Sequence, residues 1–275
     1  MTIVRDLFVR LLAPAVIFLL APVQAAGIND TGNSICYTLG HTGVLCNATV
    51  GGDDGVNPRQ DGRYGRAAAY AAGQSFPNGV SGFDFTKIAN DGSALAANAT
   101  LGSDPTQWAC TRDNVTGLLW EVKTGSGLRG TYNKFTWYSS NAATNGGDTG
   151  ANAPQGTLNT CSALAASGPP YTQCNTESFV NAVNATNLCG YNNWRLPTRS
   201  ELTSFFHYAY AQPAFDGNYF PNYFTNPDSQ RYWSANSDPK RPGYALFVEG
   251  GYGSAGTTIK VPQVYMEVRL VRTAP

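Results

Sequence analysis

Tyr191–Leu202 reads YNNWRLPTRSEL, and several kinds of local signal converge within it. Thr198 followed by Glu201 is a capping box: the threonine hydroxyl accepts from the Glu201 N–H while the glutamate carboxylate reaches back to the Thr198 N–H. The pattern predicts a helix from Arg199, with Leu202, Phe205 and Phe206 at helical spacing on its buried stripe. Pro197 holds the entry extended, so Trp194 and Leu196 face inward. Upstream, Thr176 to Leu188 predicts a second helix. Thr176 is its N-cap, Phe179, Val180, Val183 and Leu188 its apolar stripe, and Gly190 lies just past its end. Two helices thus flank one tight connector.

Away from this corner the periodicity changes to two. In Thr116–Lys123, Leu118, Trp120 and Val122 alternate with Leu119, Glu121 and Lys123, which predicts a strand. An Asp113-Asn114 turn precedes it, and Gly117 is a place for close backbone approach. Tyr232–Ser237, Tyr244–Glu249, Thr257–Val261 and Val264–Val271 also read as strands. The last alternates Val264, Met266, Val268 and Leu270 with Tyr265, Glu267, Arg269 and Val271. The expected architecture is α+β: an antiparallel sheet closed by the C-terminal strand, with two helices on one side. Thr124–Asn175 is rich in Gly, Asn, Thr, Ser and Ala around an aromatic cluster, Tyr132, Phe135, Trp137 and Tyr138, and reads as an ordered excursion. Phe205–Phe224 is densely aromatic and reads as a segment wrapping the core, His207 included.

Residues 1–25 have the form of a secretory signal peptide: Arg5 and Arg10, an apolar run from Leu11 to Val23, then small residues around a cleavage position after Ala25. The run falls short of the about 20 apolar residues of a membrane span, and no later stretch approaches that length. Without Arg5, Asp6 and Arg10 the balance is 16 basic against 17 acidic residues, net −1. That gives no electrostatic case for nucleic acid. Charged residues make up 13% of the chain, about half the usual quarter, and Gly, Asn, Thr, Ser and Tyr supply the polar surface instead. From Gly27 to Gln107 the chain is loop-rich, an extension pinned by Phe76, Phe83 and Phe85. The organisation read is therefore signal peptide 1–25, extension 26–107 and main domain 108–272.

All six cysteines lie beyond residue 25, an even count that fits three disulfides in a secreted chain. Spacing favours Cys36 with Cys46 and Cys161 with Cys174 across SALAASGPPYTQ, which leaves Cys110 to join Cys189. No CxxC supports a redox or metal site. A glycine fingerprint is formally present at Gly251, Gly253 and Gly256, but β-branched residues and Pro262 follow instead of a helix, so a hairpin turn is the better reading. His41 and His207 are the only histidines, too few for a histidine-rich zinc centre, and no G-x-S-x-G is present. Asp53-Asp54 and Asp61 lack EF-hand spacing. No cofactor or metal is expected.

DNVTGLLWEVK at Asp113–Lys123, the corner at Tyr191–Leu202, YFPN at Tyr219–Asn222, YWSAN at Tyr232–Asn236 and VRLVR at Val268–Arg272 occur in series. In content and order they resemble the Lcl C-terminal-domain family of bacterial surface and secreted proteins, over roughly Trp108 to Arg272. The resemblance implies a C-type-lectin-like fold and, in the best-known member, adhesion through sulfated glycosaminoglycans. The Glu-Pro-Asn and Trp-Asn-Asp motifs of calcium-dependent lectins are absent, so calcium-dependent sugar binding is not implied. A net charge of −1 also suits a polyanion poorly unless Arg199, Lys240, Arg241 and Lys260 form a patch. The expected function is a non-enzymatic secreted, periplasmic or surface module that recognises a glycan or surface protein. Tyr244, Glu249, Tyr252 and Lys260 are its candidate ligand-binding residues. An envelope-assembly subunit, with oligomers, and a formylglycine-generating-type enzyme, with free thiols, are the alternatives.

Overall fold

The computed structural model describes residues 29–33, 35–40, 42–46, 50, 57, 59–74, 81–154, 161, 173–208, 213–223 and 230–275. The signal-peptide reading at 1–25, His41, Asp53-Asp54 and Phe76 lie outside them. Element order is β1 (Ile35–Tyr37), β2 (Gly43–Leu45), α1 (Gly65–Ala71), β3 (Phe85–Ala89), β4 (Ala94–Leu95), β5 (Trp108–Asp113), β6 (Leu118–Glu121) and β7 (Phe135–Thr136). There follow α2 (Thr176–Ala185), α3 (Arg199–Ser204), β8 (Arg231–Asp238), β9 (Arg241–Glu249), β10 (Ala255–Ile259), β11 (Tyr265–Met266) and β12 (Val271–Thr273).

The expected single sheet is replaced by several: a five-stranded sheet ordered β12-β6-β5-β3-β4, a three-stranded sheet β10-β9-β8, and the two-stranded pairs β1-β2 and β11-β7. All named ladders are antiparallel. The segment before Trp108 contributes β3 and β4 to the largest sheet, with Phe85 opposite Asp113. Phe83 and Phe85 are buried as anticipated. The β5–β6 turn is built by Asp113, whose Oδ1 accepts from the Val115 and Thr116 N–H groups. Gly117 serves this turn through its φ of 68°; another backbone does approach it, the Ala274 N–H donating to its carbonyl at 2.8 Å, but a Cβ there would meet nothing within 4 Å, so the dihedral and not the approach calls for glycine.

β6 alternates as predicted, yet both its faces are buried. Leu118 and Trp120 enter one core, with Phe205, Phe206, Phe215 and Phe220; Leu119 enters the other, with Trp137, Phe179, Val183, Trp194 and Trp233. Glu121 and Lys123 are therefore interior and neutralise each other at 2.9 Å. The same two-core arrangement divides the predicted strand Val264–Val271. Met266, Val268 and Leu270 fill one core and Val271 the other, so β11 and β12 belong to different sheets. Glu267 and Arg269 between them are 2% and 0% exposed. A chain threading two cores cannot remain in one flat ladder.

α2 is shorter than predicted and its cap is one residue earlier. Asn175 Oδ1 accepts from the Ser178 N–H, leaving Thr176 to bind elsewhere. The helix ends at Ala185, and positive φ at Asn187 and Cys189 turns the chain through a 3-10 segment, Leu188–Gly190. α3 carries the predicted capping box, with both reciprocal bonds present. Trp194 is buried and Leu196 packs partly buried against the same core. Phe205, Phe206, Phe215, Tyr219 and Phe220 wrap the second core. His207 belongs to this packing, stacked on Phe83 with ring centroids 5.3 Å apart. The cysteines pair as Cys36–Cys46, Cys110–Cys189 and Cys161–Cys174; the middle bridge fastens β5 to the 3-10 segment after α2.

The short N-terminal module is tied back through INDTG. Asn29 donates to Asp113 and to the Ser204 carbonyl. Asp30 accepts the Ala67 N–H at 2.9 Å, supplying α1 with the cap that Tyr64 lacks, and the Thr31 carbonyl accepts from Tyr208.

Candidate functional site

Opposite β9, β8 carries extra residues. Trp233 pairs with Phe247 and Ser237 with Ala245, so Ser234–Asn236 bulge out of the ladder. Bulges bend a strand and re-aim its groups. Here the bulge docks on the corner before α3: the Ala235 N–H donates to Pro197 O at 2.7 Å, and Asn236 Oδ1 accepts the Arg199 N–H at 2.7 Å. The other flank is fixed by α2. Asn184 binds both main-chain groups of Trp194, at 2.7 and 3.0 Å, and Arg195 exchanges main-chain bonds with Val271.

The third wall is the aromatic loop. Trp137 Nε1 donates to Ser234 O at 2.9 Å, and Trp233 Nε1 returns a bond to Phe135 O at 2.8 Å. Thr176, released from capping, accepts from the Tyr138 N–H and donates to the Tyr138 carbonyl. Glu177 Oε2 accepts from the Ser140 N–H and hydroxyl at 2.7 and 2.9 Å.

These three walls enclose an open groove of about 520 Å³. Tyr138, Val180, Leu196 and Ala235 give it apolar surface, over the edge of buried Trp137; Ser139, Asn141, Thr144, Thr176 and Thr198 supply neutral polar groups. Its charges are compensated or already engaged. Arg195 makes a bidentate pair with Glu201, at 2.8 and 2.6 Å. Burial opposes ionisation of Glu201, but Arg195 and the Thr198 N–H and hydroxyl outweigh it and hold the carboxyl below its ordinary range. Glu177 is bound to Ser140. The groove is thus an apolar slot rimmed by hydroxyl and amide groups.

The residues singled out from the sequence lie elsewhere and do not converge. Glu249 and Tyr252 sit at the β9–β10 turn, where Glu249 is held by Arg231 at 3.1 Å and by the Ser254 hydroxyl, and Tyr252 is 49% exposed. Tyr244 lies five residues back along β9, roughly 16 Å at 3.3 Å per residue, with Arg241 stacked 4.2 Å over its ring. Lys260 is not a surface residue: it is 5% exposed, and its ammonium donates to Asn145 O, Asp148 O and Ser237 Oγ, 4.0 Å over Trp137. It braces the groove wall from behind. The suggested basic patch fails for the same reason, since Arg241 is paired with Asp238 at 2.6 Å and only Arg199 and Lys240 remain open. Sequence reading noticed Trp137, Tyr138 and Val180, but as packing residues. The signal missed is Ser234-Ala235-Asn236, three weak strand formers in the middle of a strand.

Among the described residues no cluster of His, Cys, Asp and Glu is arranged to hold a metal ion, and all six cysteines are in disulfides.

Fold and site together define a disulfide-stapled α+β domain with a surface groove built by its most distinctive sequence motifs. The model of the Lcl C-terminal domain matches residues 109–272, and the chain belongs to that family. No curated protein and no solved structure matches it.

Proposed function

We propose that the protein is a secreted or surface-exposed, non-enzymatic binding module that holds an uncharged glycan in the groove between α2, the 195–198 corner and the aromatic loop. The observation that carries this reading is the groove's lining: apolar and aromatic surface for sugar C–H faces, ringed by neutral hydroxyl and amide groups, with its charges paired or engaged. Three disulfides fit an oxidising compartment, and no helix among the described residues is long and apolar enough to cross a membrane. Antiparallel sheets, two flanking helices and stapled loops support a C-type-lectin-like reading of the fold. A sulfated ligand is disfavoured because the basic residues form no patch.

A glycan array of neutral and sulfated sugars, probed with calcium and with chelator at physiological salt, tests the proposal. Saturable binding to a neutral glycan, unaffected by chelator and weakened at least about tenfold, or 1.4 kcal/mol, by Tyr138→Ala or Val180→Asp, is the expected result. Absence of binding to every sugar by folded protein overturns it and shifts the assignment to protein recognition or an envelope scaffold.

A further inference from the structure

Among the described residues the three-stranded sheet has one closed and one open edge. On the β8 side, Glu267 completes the pairing: the Trp233 N–H donates to Glu267 O at 3.0 Å and the Glu267 N–H to Arg231 O at 2.9 Å. On the opposite side β10 is the last strand.

The register identifies which β10 groups are open. Glu249 N–H donates to Ser254 O, and Lys260 N–H to Gly243 O. Antiparallel hydrogen-bonded pairs alternate, so Ser254, Gly256, Thr258 and Lys260 turn their main-chain groups to β9. Ala255, Thr257 and Ile259 turn theirs away. None of these outward N–H and C=O groups has a main-chain partner among the described residues.

Natural edge strands are guarded by charge, proline or bulges. β10 reads AGTTI, without charge, proline or register shift against β9. The lysine that follows is buried rather than projecting from the edge.

We infer that β10 is a self-pairing edge, through which a second copy of this chain joins to form a six-stranded antiparallel sheet about a twofold axis at Thr257. Centred there, the register sets Thr257 against Thr257 and Ala255 against Ile259. All six outward main-chain groups of each copy are satisfied, and Ala255, the smallest of the three side chains, lies beside Ile259, the largest. Threonine pairs and small-against-large apolar pairs are favourable neighbours across antiparallel strands. The adjacent charge is already cancelled: Arg241, which reaches Thr257 Oγ1 at 2.8 Å, is paired with Asp238 in each copy. Because Glu267 occupies the other edge, the association closes at two copies instead of growing into a fibre. Pro262 and the Gly253 turn limit the contact to a short strand, so the dimer dissociates on dilution.

Sedimentation equilibrium of the full mature chain over a concentration series is the test, together with amide hydrogen exchange at low and high concentration. A reversible dimer whose Ala255, Thr257 and Ile259 amides become protected is the expected result. Thr257→Pro removes an outward N–H while sparing the ladder to β9, and Thr257→Lys sets like charges together at the axis. Both are expected to remain monomeric at concentrations where the parent dimerises, with circular dichroism unchanged. A monomer at all concentrations, or a dimer that folded forms of both variants retain, overturns the inference. These results are independent of the glycan array, which reads the groove alone.

Discussion

Asn236 Oδ1 lies 2.7 Å from the Arg199 main-chain nitrogen, capping the start of α3 from a strand 37 residues downstream. Thr198 and Glu201 serve the neighbouring groups from within the helix. Local and tertiary capping therefore meet on one turn, beside the groove that Ala235 lines. Asn236→Ala is expected to cost about 1 kcal/mol, the typical value of a lost cap, measured by urea denaturation. Glycan affinity should fall with it as the bulge loosens. Asn236→Asp retains the acceptor and should recover most of both; a variant as weak as alanine would show that packing, not the bond, fixes the bulge.

Glu121 and Lys123 place a full ion pair in the interior, 2.9 Å apart and at most 1% exposed. Burial pushes the Lys123 ammonium below its usual range, and Glu121 opposes that shift. Glu121→Gln leaves the lysine without its countercharge and is expected to cost roughly 3–5 kcal/mol. The double replacement Glu121→Gln with Lys123→Met removes the lysine together with its countercharge while keeping an acceptor for the buried Leu270 N–H, and should lie closer to the parent than Glu121→Gln alone. If the double variant is as unstable as the single one in guanidinium titrations, the countercharge is not the dominant contribution.

These buried charges mark where sequence reading reached its limit. The period-two pattern of Thr116–Lys123 located β6 but assigned Glu121 and Lys123 no interior role, because a second core is invisible to a pattern that reports one strand at a time. Glu267 and Arg269 met the same fate in the C-terminal segment. Short-range signals fared better: the Thr198–Glu201 box and the Cys36–Cys46 and Cys161–Cys174 spacings were legible because each is settled locally, and Cys110–Cys189, 79 residues apart, followed by elimination. Asn175 was overlooked beside Thr176 since both are good caps, and only Tyr138, brought in by tertiary packing, claims the threonine. The groove was illegible for a related reason. Its walls come from three segments whose residues each look like ordinary core or cap residues.

Lys260 is an interior brace whose contribution is measurable. Its three bonds tie β10's end to the loop at Asn145–Asp148 and to Ser237. Lys260→Met preserves packing over Trp137 but removes all three charge-assisted bonds, with an expected loss of about 1.5–3 kcal/mol. A surface ligand contact would instead leave thermal stability unchanged and alter affinity alone, so calorimetry beside a binding titration separates the two roles.

His207 gives the protein a calculable sensitivity to acid. The ring is 2% exposed, stacks on Phe83, and would be within 2.7 Å of a Cβ at Gly32, so little room exists for a hydrated imidazolium. Burial pushes its pKa below the ordinary 6.5, with the main-chain bond and the charges of Asp216 and Asp30 opposing. Because the folded value is depressed, the unfolded chain takes the proton first. The stability contribution is present above 6.5 and is lost as pH falls through the folded value, at up to about 1.4 kcal/mol per pH unit. Asp113, also pushed up by burial, has the opposite sign: it favours the folded state at low pH and loses that contribution as pH rises. Glu267 is pushed up by burial in the same sense as Asp113, so the wild-type curve mixes several groups, and the difference from His207→Gln isolates one. Denaturation midpoints followed from about pH 7.5 to 5.5 should fall more steeply for the parent than for the variant. Parallel curves would remove His207 as the source, whereas convergence toward acid pH would assign the acid response to this histidine.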